Sequence, residues 1–289
     1  MKTKVPGIRL FRKQQKMDRF IDRNTLRKDN LEICVFNRYP RNRLMATAEH
    51  ATTARIPVAV KKGAYIGIGD KNTGKLAKLA AYSVKGAFVV PSKTLRLNID
   101  LSRSPREIRK VSIPVQITET DILTRIPVHK DVQSIDIVRD YQKLIARMKP
   151  RVIISYHGMH RRHKSDITLG FGPNKMYIGG LKNARQFTRF FKKRLSETFY
   201  KLNFRDDLII RRSKRVFIGR MNYTLRKHVG TYNKTHMMKR MGIHVEFNLR
   251  GRTRKDSVEV PKLRCQVACQ VLAQCAVEFY HNHRREFGR

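Results

Sequence analysis

The chain has 289 residues, 40% of them hydrophobic, and sets 64 Lys+Arg against 22 Asp+Glu for a formal net charge of +42. That much apolar residue can bury a real core, which excludes a disordered basic tail. No run approaches the roughly eighteen apolar residues of a membrane span, and no secretory apolar segment follows Met1.

The positive charge is spread from end to end, with no acidic block. So many like charges repel one another in a compact state, which points to a polyanionic partner. Residues 1–30 read as a basic arm anchored by Leu10, Phe11, Phe20 and Ile21. Strand-like runs follow at Leu31–Phe36, Arg55–Val60 and Ala64–Ile68, and a helix at Lys75–Lys85. Leu95–Leu101 and Val111–Ile117 alternate apolar and polar residues as half-buried strands do. Asp136–Met148 reads as a helix stopped near Pro150, followed by strands at Val152–Tyr156, Ile167–Phe171 and Lys175–Ile178. Phe187, Phe190, Phe191, Leu195 and Phe199 stripe one face of a helix after Gly180, with Asn183 as its expected N-cap. Val216–Ile218 and Ile243–Leu249 read as strands, and Lys262–Tyr280 as a closing helix. The pattern predicts an α+β fold of short, mostly antiparallel strands with a few amphipathic helices and a basic N-terminal arm. Its expected division is 1–30 (arm), 31–149 (β-rich domain) and 150–289 (α+β basic domain).

Three constellations carry possible chemistry. Gly69–Lys75 matches the first seven positions of a phosphate-cradling loop, but Leu76 stands where a magnesium-binding hydroxyl belongs. The loop is therefore expected to be a Gly-rich turn opening a helix, with donation to an RNA phosphate as the second reading. His157, His160 and His163, with Asp166 nearby, have a spacing that a metal could use. No second ligand pair accompanies them, and three cationic neighbours oppose a divalent ion. They are expected to form a loop that lays Arg and His on phosphates. Cys265, Cys269 and Cys275 sit on one helix before His281 and His283; buried small thiols are expected, and metal binding by this set stays open.

The remaining charge lies in runs almost free of Glu, each flanking an expected element. The residues expected to bind RNA are Lys61, Lys62, Lys71, Lys75, Arg161, Arg162, His163, Lys164, Arg189, Lys192, Lys193 and Arg194, with Arg211, Arg212, Lys214, Arg215, Arg250, Arg252, Arg254 and Lys255. The basic arm, the Arg/Lys loops between short strands and the Phe-striped basic helix at Phe187–Phe199 together resemble ribosomal proteins, particularly the divergent ones of mitochondrial ribosomes. The resemblance implies a non-enzymatic, ribosomal-RNA-binding scaffold in the mitochondrion, or on another organellar or cytoplasmic ribosome. Its implied partners are ribosomal RNA and neighbouring ribosomal proteins, with no membrane, small-molecule substrate, metal or cofactor. A viral or phage nucleic-acid-packaging protein and an RNA-processing enzyme are the alternatives.

Overall fold

Two short apolar runs, Leu44–Thr47 and Ala87–Pro91, flank a helix and form the parallel centre of the main sheet. The computed structural model describes residues 5–23, 26–28, 31–35, 44–51, 54–57, 65–68, 70, 72–91, 101–102, 104, 112–117, 123–127, 132–159, 163–204, 208–213, 219, 222–231, 240–248 and 262–283. The main sheet holds β1 (Leu26–Lys28), β2 (Leu31–Val35), β3 (Leu44–Thr47), β6 (Ala87–Pro91), β9 (Val152–Met159), β10 (Ile167–Gly170), β11 (Ile210–Arg212) and β12 (Met241–Asn248). Their spatial order is β1-β2-β6-β3-β9-β12-β10-β11. A separate four-stranded antiparallel sheet joins β4 (Ala54–Pro57), β5 (Tyr65–Ile68), β7 (Ser112–Ile117) and β8 (Leu123–Pro127).

The mixture of helix and strand stands, but the mostly antiparallel sheet does not. Strands β6, β3, β9 and β12 run parallel, and antiparallel pairing is confined in this sheet to β1–β2, β2–β6 and β10–β12. A parallel strand is covered on both faces, so it shows a continuous apolar run where a half-buried strand alternates. From β3 the chain passes through α2 (Thr73–Ser83) to β6 on one side, and later returns as β9 on the other. The sheet therefore reverses its winding between β3 and β9, and in open parallel sheets ligands bind at the carboxyl ends of the strands at such a reversal.

The two faces of the sheet differ in chemistry. On one, Ala46, Phe88, Ile154, Tyr156, Ile243, Val245 and Phe247 pack with α2, α4 (Leu181–Lys201) and α6 (Leu263–His283) into the larger core. Phe187 and Phe279 meet edge to face, with ring centroids 5.4 Å apart. On the other face, Met45, Val89 and Ile153 pack against α3 (Val132–Arg147) and the segment formed by α5 (Tyr223–Leu225) and its π-helical continuation, Arg226–Thr231. A Cβ on Gly242 would come within 3.0 Å of Val229 and 3.2 Å of Leu225, so this segment approaches the sheet closely only because β12 carries glycine there. Further along the same face the residues turn polar: Thr47, Ser155, His157, His244 and Glu246, all buried. The site sits at that change.

The expected basic arm is corrected in the residues described. Residues 5–13 lie along α6, where Gln266 and Gln270 act as a second backbone. Each side-chain oxygen accepts from an arm N–H (Phe11 and Arg9, 2.8 and 2.9 Å), and each side-chain amide donates to the same residue's carbonyl at 2.8 Å. Helix α1 (Gln14–Arg23) then buries Met17 and Ile21 in the core. The expected strand at Lys175–Ile178 is part of a 3₁₀ helix, Pro173–Ile178, which Gly172 enters at φ 77 against the ring of Tyr177. Helix α4 starts one turn before its expected cap: Gly180 is the N-cap, and Asn183 lies buried inside. Of the expected strand Leu95–Leu101, residues 95–100 lie outside the described residues, as does Val216–Ile218. No described helix is long and apolar enough to cross a membrane.

Candidate active site

His50 follows the end of β3, Asp70 precedes α2, and His157 lies near the end of β9. Local bonds hold the first two together. The Asp70 N–H donates to the His50 carbonyl at 2.6 Å, and the Asp70 carbonyl accepts from the N–H and Oγ1 of Thr73 at the start of α2. Asn72, the N-cap of α2, takes the left-handed conformation (φ 64). Among the described residues of the Gly69–Lys75 motif, Thr73 opens the helix and Asp70 contributes a carboxylate to the site.

Asp70 Oδ2 lies 3.3 Å from His50 Nδ1 and 3.4 Å from His157 Nδ1. One ligand atom from each of the three residues falls within 4.8 Å of the others, and all three residues are buried. Two imidazoles and one carboxylate converging in this way suit zinc or a similar divalent ion, with coordination positions left open for water or substrate. The other ring nitrogen of His157, Nε2, lies 3.2 Å from Glu49 Oε2. A ligating histidine typically donates its second N–H to a carboxylate, which fixes the tautomer and leaves the first nitrogen's lone pair for the metal. Both Glu49 oxygens are engaged: Ser155 Oγ donates to Oε2 (2.7 Å) and Thr47 Oγ1 to Oε1 (3.0 Å). Asn222 donates from Nδ2 to Ser155 Oγ at 2.8 Å, while its Oδ1 accepts from Leu225 N–H and caps α5. A helix cap and the metal-type cluster thereby share one residue.

Charge follows from this packing. Burial alone would raise the Glu49 carboxyl, but the hydrogen bond and charge of His157, with Ser155, outweigh it and hold the group at about 2. Burial would lower His157; hydrogen bonds to Asp70 and Glu49 and the charges of Glu49 and Glu246 push it up to about 10. In the metal-free protein the pair is therefore ionic at neutral pH. Glu49 contributes stability above its unfolded value of 4.5, lost as pH falls through about 2. His157 contributes below its unfolded value of 6.5, lost as pH rises through about 10. Melting temperature in chelator is expected to be highest from pH 4.5 to 6.5. On the alkaline side the decline should flatten in His157→Gln. An alkaline limb identical in that variant would contradict the ion pair.

Beside the cluster on β12, Glu246 pairs in register with His157, and His244 with Ser155. His244 Nε2 donates to Glu246 Oε1 at 2.8 Å. Burial and the charge of His157 push His244 down, against the pull of Glu246 and Glu49. Glu246 Oε2 and His244 Nδ1 are buried without a hydrogen-bond partner. Such a carboxylate oxygen beside three converging ligands is placed to take a proton from something bound there.

Compared with solved structures, the chain is similar to an N-formylglutamate amidohydrolase from Ralstonia eutropha JMP134, with TM-score 0.53 and 11% identity over 89% of this chain and 99% of that one. A bacteriophage poly-gamma-glutamate hydrolase aligns with TM-score 0.46 and 11% identity, covering 92% and 97% of the two chains. A metallo-carboxypeptidase from Pseudomonas aeruginosa aligns at 0.42 and 12%, covering 97% and 71%. The fold is shared with an amidohydrolase. No protein-family model and no curated protein matches the sequence.

These findings overturn the resemblance to ribosomal proteins and what it implied. The non-enzymatic scaffold for translation, the partnership with ribosomal RNA and ribosomal proteins, and the exclusion of a small-molecule substrate all give way to a hydrolase-type fold with a buried ligand cluster. The alternative of an RNA-processing enzyme gains no support either. A charge total counts ions without saying what the fold beneath them does, and here it outweighed three ligands far apart in sequence.

Of the described residues of the His–Arg loop, His157 alone enters the site. His163 and Lys164 are exposed, His160 lies outside the described residues, and Asp166 accepts from Ile209 N–H at 2.8 Å. Cys265, Cys269 and Cys275 are buried in α6; burial pushes Cys269 well up and Cys275 to about 12. His283 stacks on Phe279, 4.0 Å between centroids. Among the residues singled out for RNA, Lys75 lies 3.4 Å from Asp18, and Arg194 pairs with Glu278 at 2.9 Å. Arg189, Lys192 and Lys193 are exposed on α4, and Arg211 and Arg212 lie on edge strand β11. Lys61, Lys62, Lys71, Arg161, Arg162, Lys214, Arg215, Arg250, Arg252, Arg254 and Lys255 lie outside the described residues. Sequence reasoning missed His50, Glu49, His244 and Glu246. Only the polar alternation of Gly242–Asn248 along an otherwise apolar strand carried a signal for the last two.

Proposed function

We propose that this protein is a metal-dependent hydrolase that cleaves a C–N amide bond. The observation that carries the proposal is the convergence of His50, Asp70 and His157 at the winding reversal of the sheet, next to a carboxylate oxygen of Glu246 that has no partner. The likeness of fold to an amidohydrolase supports the choice of bond. His50, Asp70 and His157 would hold the ion, and a divalent zinc there would polarise a carbonyl and acidify water.

The chain's own residues do the rest. Glu246 accepts the proton of the attacking water at Oε2 as the oxygen bonds to the carbonyl carbon. It then returns that proton to the departing amine nitrogen as the C–N bond breaks, leaving a free amine and a carboxylic acid that gives its proton to water. His244 holds Glu246 by Oε1, so that Oε2 is the free atom. Glu49, Ser155 and Asn222 fix the ring of His157.

The test is metal content and amine release together. Purified protein should take up one equivalent of a divalent ion and release amine from a panel of N-acyl amino acids. Chelation should stop release, and zinc should restore it. Failure to bind a stoichiometric ion, or release that survives chelation, would sink the proposal.

A further inference from the structure

We propose that the protein holds a di- or triphosphate group in a cationic cleft on the face of the sheet away from the metal-type cluster. The cleft, of about 510 Å³, lies between α4 and edge strand β11, and its cations are Arg185, Arg189, Lys192, Arg211 and Arg212. Strand register sets its side. Ile210 pairs with Ile167, and Ile167 with Phe247, all three buried in the larger core that α4 covers. Side chains alternate along a strand, so Arg212 points to that same face, towards α4. Arg211 pairs with Thr168 and leaves from the other face, at the rim that β11 forms as the last strand of the sheet. His157 and Glu246 share the face of Thr168, across the sheet from the cleft. The cleft is thus a second site, and it stands or falls independently of the amide-hydrolase reading.

The cations of this cleft lack the acids that cations elsewhere in the fold have. Arg194, on the same helix, pairs with Glu278 at 2.9 Å, and Lys75 lies 3.4 Å from Asp18. Among the described residues, no carboxylate pairs with any of the five. The acid at the head of β11, Asp166, accepts from Ile209 N–H at 2.8 Å and is not part of the lining. Arg212 Nη1 is buried with no hydrogen-bond partner, although a guanidinium N–H out of water ordinarily has an acceptor. Lys175, whose Nζ donates to the Ser213 carbonyl at 2.9 Å, is pushed down by burial and by the charge of Arg212. An oxyanion would supply the missing acceptor and relieve that repulsion together.

Size, charge density and lining select the ligand. The volume is that of a small-molecule site. Arg185, Arg189 and Lys192 recur at helical spacing along one face of α4. They cover roughly 10 Å of its length, so the row meets a short linear anion better than a single one. Guanidinium forks bind phosphate and carboxylate alike. Five cations crowded without an acid favour the denser charge, and a terminal phosphate carries about −1.5 to −2 at pH 7. The lining has no aromatic side chain on which a base would stack, so the phosphate chain itself is what the cleft recognises.

The probe is inorganic tripolyphosphate, titrated by calorimetry into the full-length protein beside sulfate, citrate and a single-stranded oligonucleotide at equal ionic strength. Tripolyphosphate should fill a single site and bind more tightly than the other three. Arg185→Ala/Arg189→Ala, at two exposed positions of α4, should weaken it about tenfold to a hundredfold, as loss of charge-assisted hydrogen bonds does. Diffuse attraction to a chain with 64 Lys+Arg would hardly register the loss of two, so this fall separates a site from a net charge. Arg212→Gln should weaken binding in the same range; the exposed pair carries the test even where that strand variant fails to fold. A triphosphate could also chelate an ion at the metal-type cluster, and Asp70→Asn controls for this: its affinity should equal that of the wild type. Sulfate or citrate binding as tightly, the oligonucleotide binding more tightly, or unchanged affinity in the double variant overturns the proposal. Loss of binding in Asp70→Asn overturns it too, by moving the phosphates to the cluster.

Discussion

Glu246→Gln is expected to lower kcat by about a hundredfold to ten-thousandfold while metal content stays at the wild-type level. The substitution keeps the size and shape of the side chain and its bond to His244, because the amide oxygen of glutamine still accepts from Nε2. It removes the one property the mechanism needs, an oxygen that can carry a proton. In the native protein that oxygen is buried and unpartnered on a strand whose neighbour bears His157 in register. A purely structural Glu246 would behave differently. Losing a buried charge that pairs with His244 would then lower stability, and turnover would be little altered. The measurement is kcat, KM and bound metal for the two proteins side by side. A kcat within about tenfold of wild type would remove Glu246 from the mechanism.

Much of the scaffold was legible in the residues, and the part that was not is the part that makes the site. Strands β9 and β12 and helices α2, α4 and α6 show themselves in apolar spacing. Strands β3 and β6 do not. Leu44–Thr47 is four residues and Ala87–Pro91 five, every one buried, with no alternation to mark a face. Without them the helix between looks like an interruption of an antiparallel sheet, when it is the crossover of a parallel unit. The reversal of winding between β3 and β9 disappears with them, and so does the reason to inspect the residues at each strand's carboxyl end. His157 stood out in the His–Arg cluster, while Asp70 lay within the Gly69–Lys75 loop, which was judged for its glycines and lysine. His50, with Glu49 before it, stands in a run of small residues, and no further ligand type is near it in sequence. Candidate ligands drawn from two loops and the end of a strand are joined by topology alone.

The charge has a physical content that survives the correction. An excess of cations still implies an anionic partner, but composition is silent on whether the anion is embedded around the protein or brought to one groove. Among the described residues, Arg194 and Lys75 are spent on Glu278 and Asp18, whereas Arg189 and Lys192 stand exposed on α4. Counting them together hid that distinction.

Two carboxylates flank His157, and their removal should separate ligand from support. Asp70 Oδ2 stands 3.3 Å from His50 and 3.4 Å from His157, so it alone bridges both imidazoles at the nitrogens that converge. Glu49 touches only the far nitrogen of His157, and its oxygens are already occupied by Ser155 and Thr47. Asp70→Asn therefore replaces a ligand with a neutral amide and should remove stoichiometric metal binding, with turnover lost in proportion. Glu49→Gln leaves all three ligands in place and disturbs the orientation and basicity of one, so metal affinity should fall about 10-fold to 100-fold. Excess zinc should then restore activity to Glu49→Gln and fail to restore it to Asp70→Asn. Competition against a chelator of known affinity reads both effects directly. If Glu49→Gln lost the metal outright while Asp70→Asn kept it, the cluster would have to be redrawn around the other nitrogen of His157, with Glu49 as the ligand and Asp70 as the group that orients the ring.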